Sequence, residues 1–224
     1  MSKQFRINLI VILALLPALS MAHDVTAADQ EILNRDGLLG YIRVGATHML
    51  TGYDHLLFLA GVIFYLSGLK DILKFITVFT LGHCFTLISA SYLGITANEY
   101  LVDAVIALSV LYKGFENLGG FKKINIKPPH LLYMVFLFGL IHGFGLATRL
   151  QTFETGMDQF LAKILCFNLG VEIGQVLALV PFVILITWWK KHKSYAAFYK
   201  AANTYIVIAG VGLFVYQMWQ YFNV

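Results

Sequence analysis

Four histidines and three carboxylates interrupt stretches of sequence that are otherwise almost wholly apolar. His48, Asp54 and His55 stand in GATHMLTGYDHLLFL, His83 in FTLGHCFTLISAS, Asp103 in VDAVIALS, His142 in FGLIHGFGLA, and Glu172 between Asn168 and Gln175 in FNLGVEIGQ. The chemistry these side chains share is metal ligation. Neutral imidazole binds nickel, cobalt, copper, zinc and iron, while a carboxylate adds charge and can orient a histidine from behind. His48, Asp54, His55, His83, His142 and Glu172 are therefore the candidate ligands, with Asp103, Asn168 and Gln175 in support. Cys84, beside His83, is a soft donor by type but reads more simply as a small packing residue. One intramembrane histidine is often only a hydrogen-bonding residue between helices. Seven ionisable groups are harder to explain that way, because each costs about 2.5–3.5 kcal/mol at the centre of a bilayer.

Spacing adds detail. Asn168, Glu172 and Gln175 stand at i, i+4 and i+7, one polar stripe on an apolar helix that must face protein or water. His48 and His55 also share a helical face, but seven residues at about 1.5 Å each put them about 10 Å apart on a straight helix. One ion can touch both only where the helix breaks, and Gly52 lies between them. Gly139, Gly143 and Gly145 around His142 offer a second such place. Asp54 points about 100° away from His55 on a helix, which leaves open that it serves another histidine. Glu116 and Lys113, one turn apart, read as a local ion pair.

The elements that position these groups must be membrane helices. The chain has 224 residues, 59% hydrophobic and 12% charged, with a mean hydropathy of +0.75. Soluble domains carry about 25% charged residues, so a water-soluble enzyme, a disordered chain and a disulfide-stapled module are excluded. The net charge of +4 is spread over short clusters and does not point to nucleic acid. Residues 1–22 read as a secretory signal peptide: Lys3 and Arg6, an apolar stretch from Ile7 to Leu19, then Ser20-Met21-Ala22. Cleavage there makes His23 the mature terminus.

Residues 23–224 then form a single membrane domain, with a short external segment at 23–37. The expected fold is all-α, a polytopic bundle of six transmembrane helices, some of them broken at glycines. The spans are Leu38–Leu66, Ile72–Leu93, Tyr100–Leu118, Leu131–Leu150, Phe160–Trp189 and Ala202–Phe222. The sixth has almost no polar residue before Gln217 and reads as scaffold. Lys70, Lys74, Lys113, Lys122, Lys123, Lys127, Lys190, Lys191, Lys193 and Lys200 lie on one side, whereas Arg35, Arg43, Arg149 and Lys163 on the other are diluted by acids. The positive-inside rule makes the lysine-rich side cytoplasmic and puts both mature termini outside.

HMLTGYDHLLFL, with histidine, five residues and Asp-His, resembles the first span of the HupE/UreJ family of bacterial membrane proteins, and FGLIHGFGLA resembles that family's second histidine motif. The resemblance extends over His83, Asp103 with IALS, and FNLGVEIGQ, from about Gly45 to Gln175. Gly82 and Cys84 stand where alanine and serine are usual, and Asp103 where glutamate is commoner. The resemblance implies a secondary permease of the bacterial inner membrane for nickel or cobalt. His48, Asp54, His55 and His142 carry over as the metal pathway, and His83, Asp103 and Glu172 belong to this branch. Copper, zinc or iron remain open as the ion.

The expected partners are the lipid bilayer and the metal ion, with self-association or docking to a metalloenzyme-assembly protein as further options and no nucleic acid. No P-loop is present, so the chain is not expected to be an enzyme that hydrolyses ATP. Two other classes compete. One is a membrane metalloprotein or redox protein that keeps haem, iron or copper on its histidines, which a Soret band would reveal for haem. The other is an assembly factor presenting metal through His23.

Overall fold

The computed structural model describes residues 27–151 and 159–223. The expected signal peptide and His23 lie outside the described residues. Every described element is helical. In chain order these are α1 (Ala27–Thr51), α2 (Tyr53–Val62), α3 (Leu69–Leu93), α4 (Glu99–Asn117), the short α5 (Gly120–Lys123), α6 (Leu131–Leu150), α7 (Phe160–Trp189) and α8 (Tyr195–Asn223).

Local sequence explains the boundaries. α1 bends at Gly37, which takes φ 55° and ψ −134°, a conformation open to glycine and strained for other residues. Asp36 braces the bend by accepting hydrogen bonds from Arg35 Nε at 2.7 Å and Arg43 Nη1 at 2.6 Å. Those bonds, Arg35 first, pull its carboxyl down to about 2. α3 closes on Gly94 in the left-handed region at φ 65°, a common helix stop. α4 opens on Asn98, whose side chain accepts the Leu101 amide.

Four of the helices are long and apolar enough to cross a membrane: α3, α6 over Leu131–Arg149, α7 and α8. The other two expected spans fall short of that measure for visible reasons. α4 carries Glu99, Asp103, Lys113 and Glu116 in its 19 residues, and the first span is divided between α1 and α2 at Gly52.

The helices pack as three close pairs, α3 with α6, α1 with α7 and α4 with α8. Lipid tails are as apolar as leucine, so membrane helices associate by close backbone packing at small residues. Each pair follows that rule. A Cβ at Gly139 or Gly143 of α6 would collide with the Phe79 or His83 carbonyl of α3. Gly170 of α7 meets the Ile42 carbonyl of α1, and Gly45 of α1 meets that of Phe167. Gly210 of α8 lies against the Leu111 backbone of α4. Thr86 adds a hydrogen bond at 2.7 Å from its hydroxyl on α3 to the Leu140 carbonyl on α6.

α2 lies against α4, and α3 also touches α7, which joins the pairs into one bundle. Its outside is apolar, as Leu161, Leu165, Leu169 and Ile173 show along one face of α7. Asp54, His55, His83, His142, Asn168 and Gln175 are buried inside it. That distribution suits a hydrocarbon solvent and not water.

Candidate metal site

The break at Gly52 builds the site. The backbone leaves helical geometry there with φ −64° and ψ 104°, and α2 starts afresh at Tyr53. Asp54 thus falls in the first turn of a new helix, where a carboxylate offsets the positive end of the helix dipole. The break also shortens the distance between His48 and His55, whose rings lie edge to face with centroids 5.1 Å apart. Gly52 has no side chain for a steric reason: a Cβ there would strike His55 Nδ1 and crowd Asp54 Oδ1 at 3.2 Å.

Asp54, His55 and His142 form the centre. Each offers one donor atom, and the three atoms lie within 4.8 Å of one another. Asp54 serves both histidines: Oδ1 is 3.1 Å from His55 Nδ1 and Oδ2 is 4.0 Å from His142 Nε2. The two imidazole rings are 4.9 Å apart. All three residues are at most 4% exposed.

Hydrogen bonding fixes the tautomer of His142. Its Nδ1 is 2.7 Å from the Phe138 carbonyl, which can only accept, so Nδ1 carries the proton and donates. Nε2 is left with a lone pair aimed at Asp54, buried and without a hydrogen-bond partner among the described residues. A ring pinned through one nitrogen while the other points at a carboxylate is the arrangement of a metal-ligating histidine. The donor set, two imidazoles and one carboxylate, fits a divalent transition ion.

The other expected residues surround this centre at different distances. His48 touches it through His55 and is partly exposed. His83 stacks on Phe79, which also meets the His142 ring edge to face. Its Nδ1 is 2.8 Å from Asn168 Oδ1. The Asn168 amide nitrogen donates to the Ile164 carbonyl at 2.9 Å, which turns Oδ1 toward the histidine. Gln175, fully buried, accepts from the Thr80 hydroxyl at 3.4 Å. Glu172 is half-buried near Cys84 and stands outside the group of three.

Asp103 pairs with Arg149, whose Nη2 donates at 2.6 Å. Gln217 Nε2 lies 3.4 Å from the same oxygen. Sequence reasoning set Arg149 among the charges of the outer connections, yet it is 7% exposed. Its position at the end of α6, directly after the second histidine motif, was the available signal. The sixth span, read as scaffold, contributes a polar contact between helices. Asn203 of α8 is fully buried and is hydrogen-bonded by Asn117, which donates as well to the Gly61 carbonyl at 2.8 Å. The expected Lys113–Glu116 pair is present at 2.7 Å, with Lys113 over the Tyr65 ring.

Two small cavities adjoin the centre. One is walled by His48, His55, His142 and Arg149, the other by Tyr53, Asp54, Asp103 and Gln217. A further cleft, about 230 Å³, runs between α2, α7 and α8 and is lined by apolar side chains. It suits a hydrocarbon chain and offers an ion nothing.

The fold and the centre define a class: a helical protein for a bilayer, holding a buried His/Asp group able to take a metal ion. Sequence comparison narrows it, since the profile described as "HupE / UreJ protein" matches residues 22–224. The chain belongs to the HupE/UreJ family. No curated protein and no solved structure matches it.

Proposed function

We propose that this protein is a secondary permease for a divalent transition-metal ion, nickel or cobalt, and not an enzyme. The observation that carries the reading is the buried convergence of Asp54, His55 and His142 at a helix break. Discontinuous helices at mid-membrane are how transporters expose ligands to a substrate. The three groups supply one negative charge and two neutral donors, enough to replace part of the hydration shell of the ion without trapping it behind many carboxylates. The family relationship supports the choice of metal.

In this reading the first span is the part of α1 after the bend at Gly37 together with α2, and α4 is the third, giving six crossings in the bacterial inner membrane. The lysine-rich connections, including Lys122 to Lys127 and Lys190 to Lys200, face the cytoplasm. The N-terminus of α4 then lies on the external side. His48 extends the pathway along α1, and His83, held by Asn168, lines it from α3.

The test is nickel and cobalt uptake into proteoliposomes, with elemental analysis of the same preparation. Wild type is expected to accumulate the ion. His55→Ala and His142→Ala are expected to abolish accumulation while extracting from membranes as folded proteins. Uptake equal to wild type in both variants removes the permease reading. Stoichiometric iron or copper surviving purification, without uptake, would support a protein that keeps its metal.

A further inference from the structure

The geometry points to Arg149 as a tethered cation that closes the entry to the metal centre and must leave Asp103 before an ion can pass. This rests on the permease reading above and names the residue that controls access to its site. The guanidinium of Arg149 stands on the wall of the small cavity whose other polar walls are His48, His55 and His142. Gly145, one turn back on α6, shares that wall, and a Cβ there would sit in ordinary van der Waals contact with Arg149 Nη1 at 3.8 Å.

On its other side Arg149 Nη2 grips Asp103 Oδ2 at 2.6 Å. Asp103 in turn shares the second small cavity with Asp54 of the centre. Arg149 Nε lies 3.9 Å from Glu99 Oε2, and that carboxylate is 44% exposed at the start of α4. Glu99 and Asp103 are one helical turn apart, about 6 Å along the axis. Carboxylates therefore run from the surface through Glu99 and Asp103 to Asp54, and one guanidinium straddles the middle of that line.

A guanidinium is charged at every accessible pH. A divalent ion approaching Asp103 therefore meets a like charge at contact distance in a medium of low dielectric. The long arginine side chain has somewhere to go, because its Nε already lies beside Glu99. Swinging outward keeps it paired with a carboxylate and clears the cavity beside the centre for the incoming ion. No bond is made or broken in this exchange and no net charge is lost from the pathway. Buried ion pairs can often be replaced by well-packed apolar side chains without loss of stability, so stability by itself is a weak reason for a pair at this place.

The experiment follows Co²⁺ binding to the purified full-length protein by stopped-flow absorbance of the cobalt d–d bands. It compares wild type, Arg149→Gln, the neutral pair Asp103→Asn with Arg149→Gln, and His55→Ala. Arg149→Gln and the neutral pair are expected to reach the wild-type spectrum with an association rate at least about tenfold faster, the factor for about 1.4 kcal/mol of barrier. The neutral pair serves where Arg149→Gln alone, leaving Asp103 buried and unpaired, does not fold.

Folded variants with the wild-type rate would overturn the proposal, and so would folded variants that lose the spectrum. Failure of both to fold would overturn it as well, by assigning the pair to holding α4 and α6 together. The metal reading fails separately, and this proposal with it, if wild type shows no cobalt bands or if His55→Ala keeps them.

Discussion

His142 is useful as a ligand because of what its other nitrogen does. The Phe138 carbonyl, four residues back on the same helix, accepts a hydrogen bond from Nδ1–H and leaves Nε2 facing Asp54. Ligation needs that lone pair, and a proton on it competes with the metal. Metal occupancy at fixed free cobalt is therefore expected to fall once the pH is low enough to protonate the ring, with protons released on binding in that range. Titration calorimetry in two buffers of different ionisation enthalpy, repeated at successively lower pH, measures that release directly. An affinity unchanged down to the lowest pH at which the protein stays folded would show that the histidines are not ligands.

At this scale much of the site could be read from residue type alone, since histidines and carboxylates in apolar sequence are costly wherever they occur. What could not be read was partnership. Asp54 reaches both histidines because the backbone turns at Gly52. Arg149 looked like a loop charge because its partner Asp103 lies 46 residues away. Asn203, near the start of a largely apolar span, gave no pattern that named its partner.

Helices place these groups, and glycine decides where helices bend or touch. Gly52 has two jobs that one substitution can separate from folding. Its φ of −64° and ψ of 104° are open to any residue, so Gly52→Ala carries no conformational penalty in the native backbone. The added methyl would nevertheless press on His55 Nδ1 and Asp54 Oδ1. The expected result is a folded protein, with circular dichroism like wild type, whose cobalt bands are lost or strongly shifted. An unchanged cobalt spectrum would mean the centre lies elsewhere.

Gly143 tests packing instead. It faces the His83 carbonyl and the Thr86 hydroxyl across the α3–α6 crossing, and an added methyl in a tight contact costs about 1–3 kcal/mol. Gly143→Ala should lower the detergent melting temperature, as fluorescence-detected thermal unfolding would show, and spread α3 from α6. The glycine positions were visible in the sequence, and the break between His48 and His55 followed from them. The pairing of α1 with α7, α3 with α6 and α4 with α8 was not, because small residues do not say which helix they meet.

At the scale of the whole molecule, orientation and driving force are linked. In the proposed orientation the lysine-rich connections face the cytoplasm, and Ile124, 54% exposed in the connection after α5, lies on that side. Ile124→Cys is expected to resist an impermeant maleimide added to intact spheroplasts and to react once the membrane is opened. Labelling in intact spheroplasts would invert the topology.

With that orientation a divalent ion entering the cell moves two charges down a potential negative inside, which supplies about 2 × 2.3 kcal/mol per 100 mV. No other energy source need be built into the chain for net uptake to occur. Imposing a potassium diffusion potential, negative inside, on proteoliposomes in which most copies face the cellular way should raise initial cobalt uptake several-fold, and reversing its sign should suppress it. His55→Ala should abolish the effect, while Ile124→Cys, far from the centre, should keep it. Uptake that ignores the potential would require compensating charge movement, such as two protons leaving for each ion that enters. An opposing pH gradient would then stimulate transport where the electrical gradient does not.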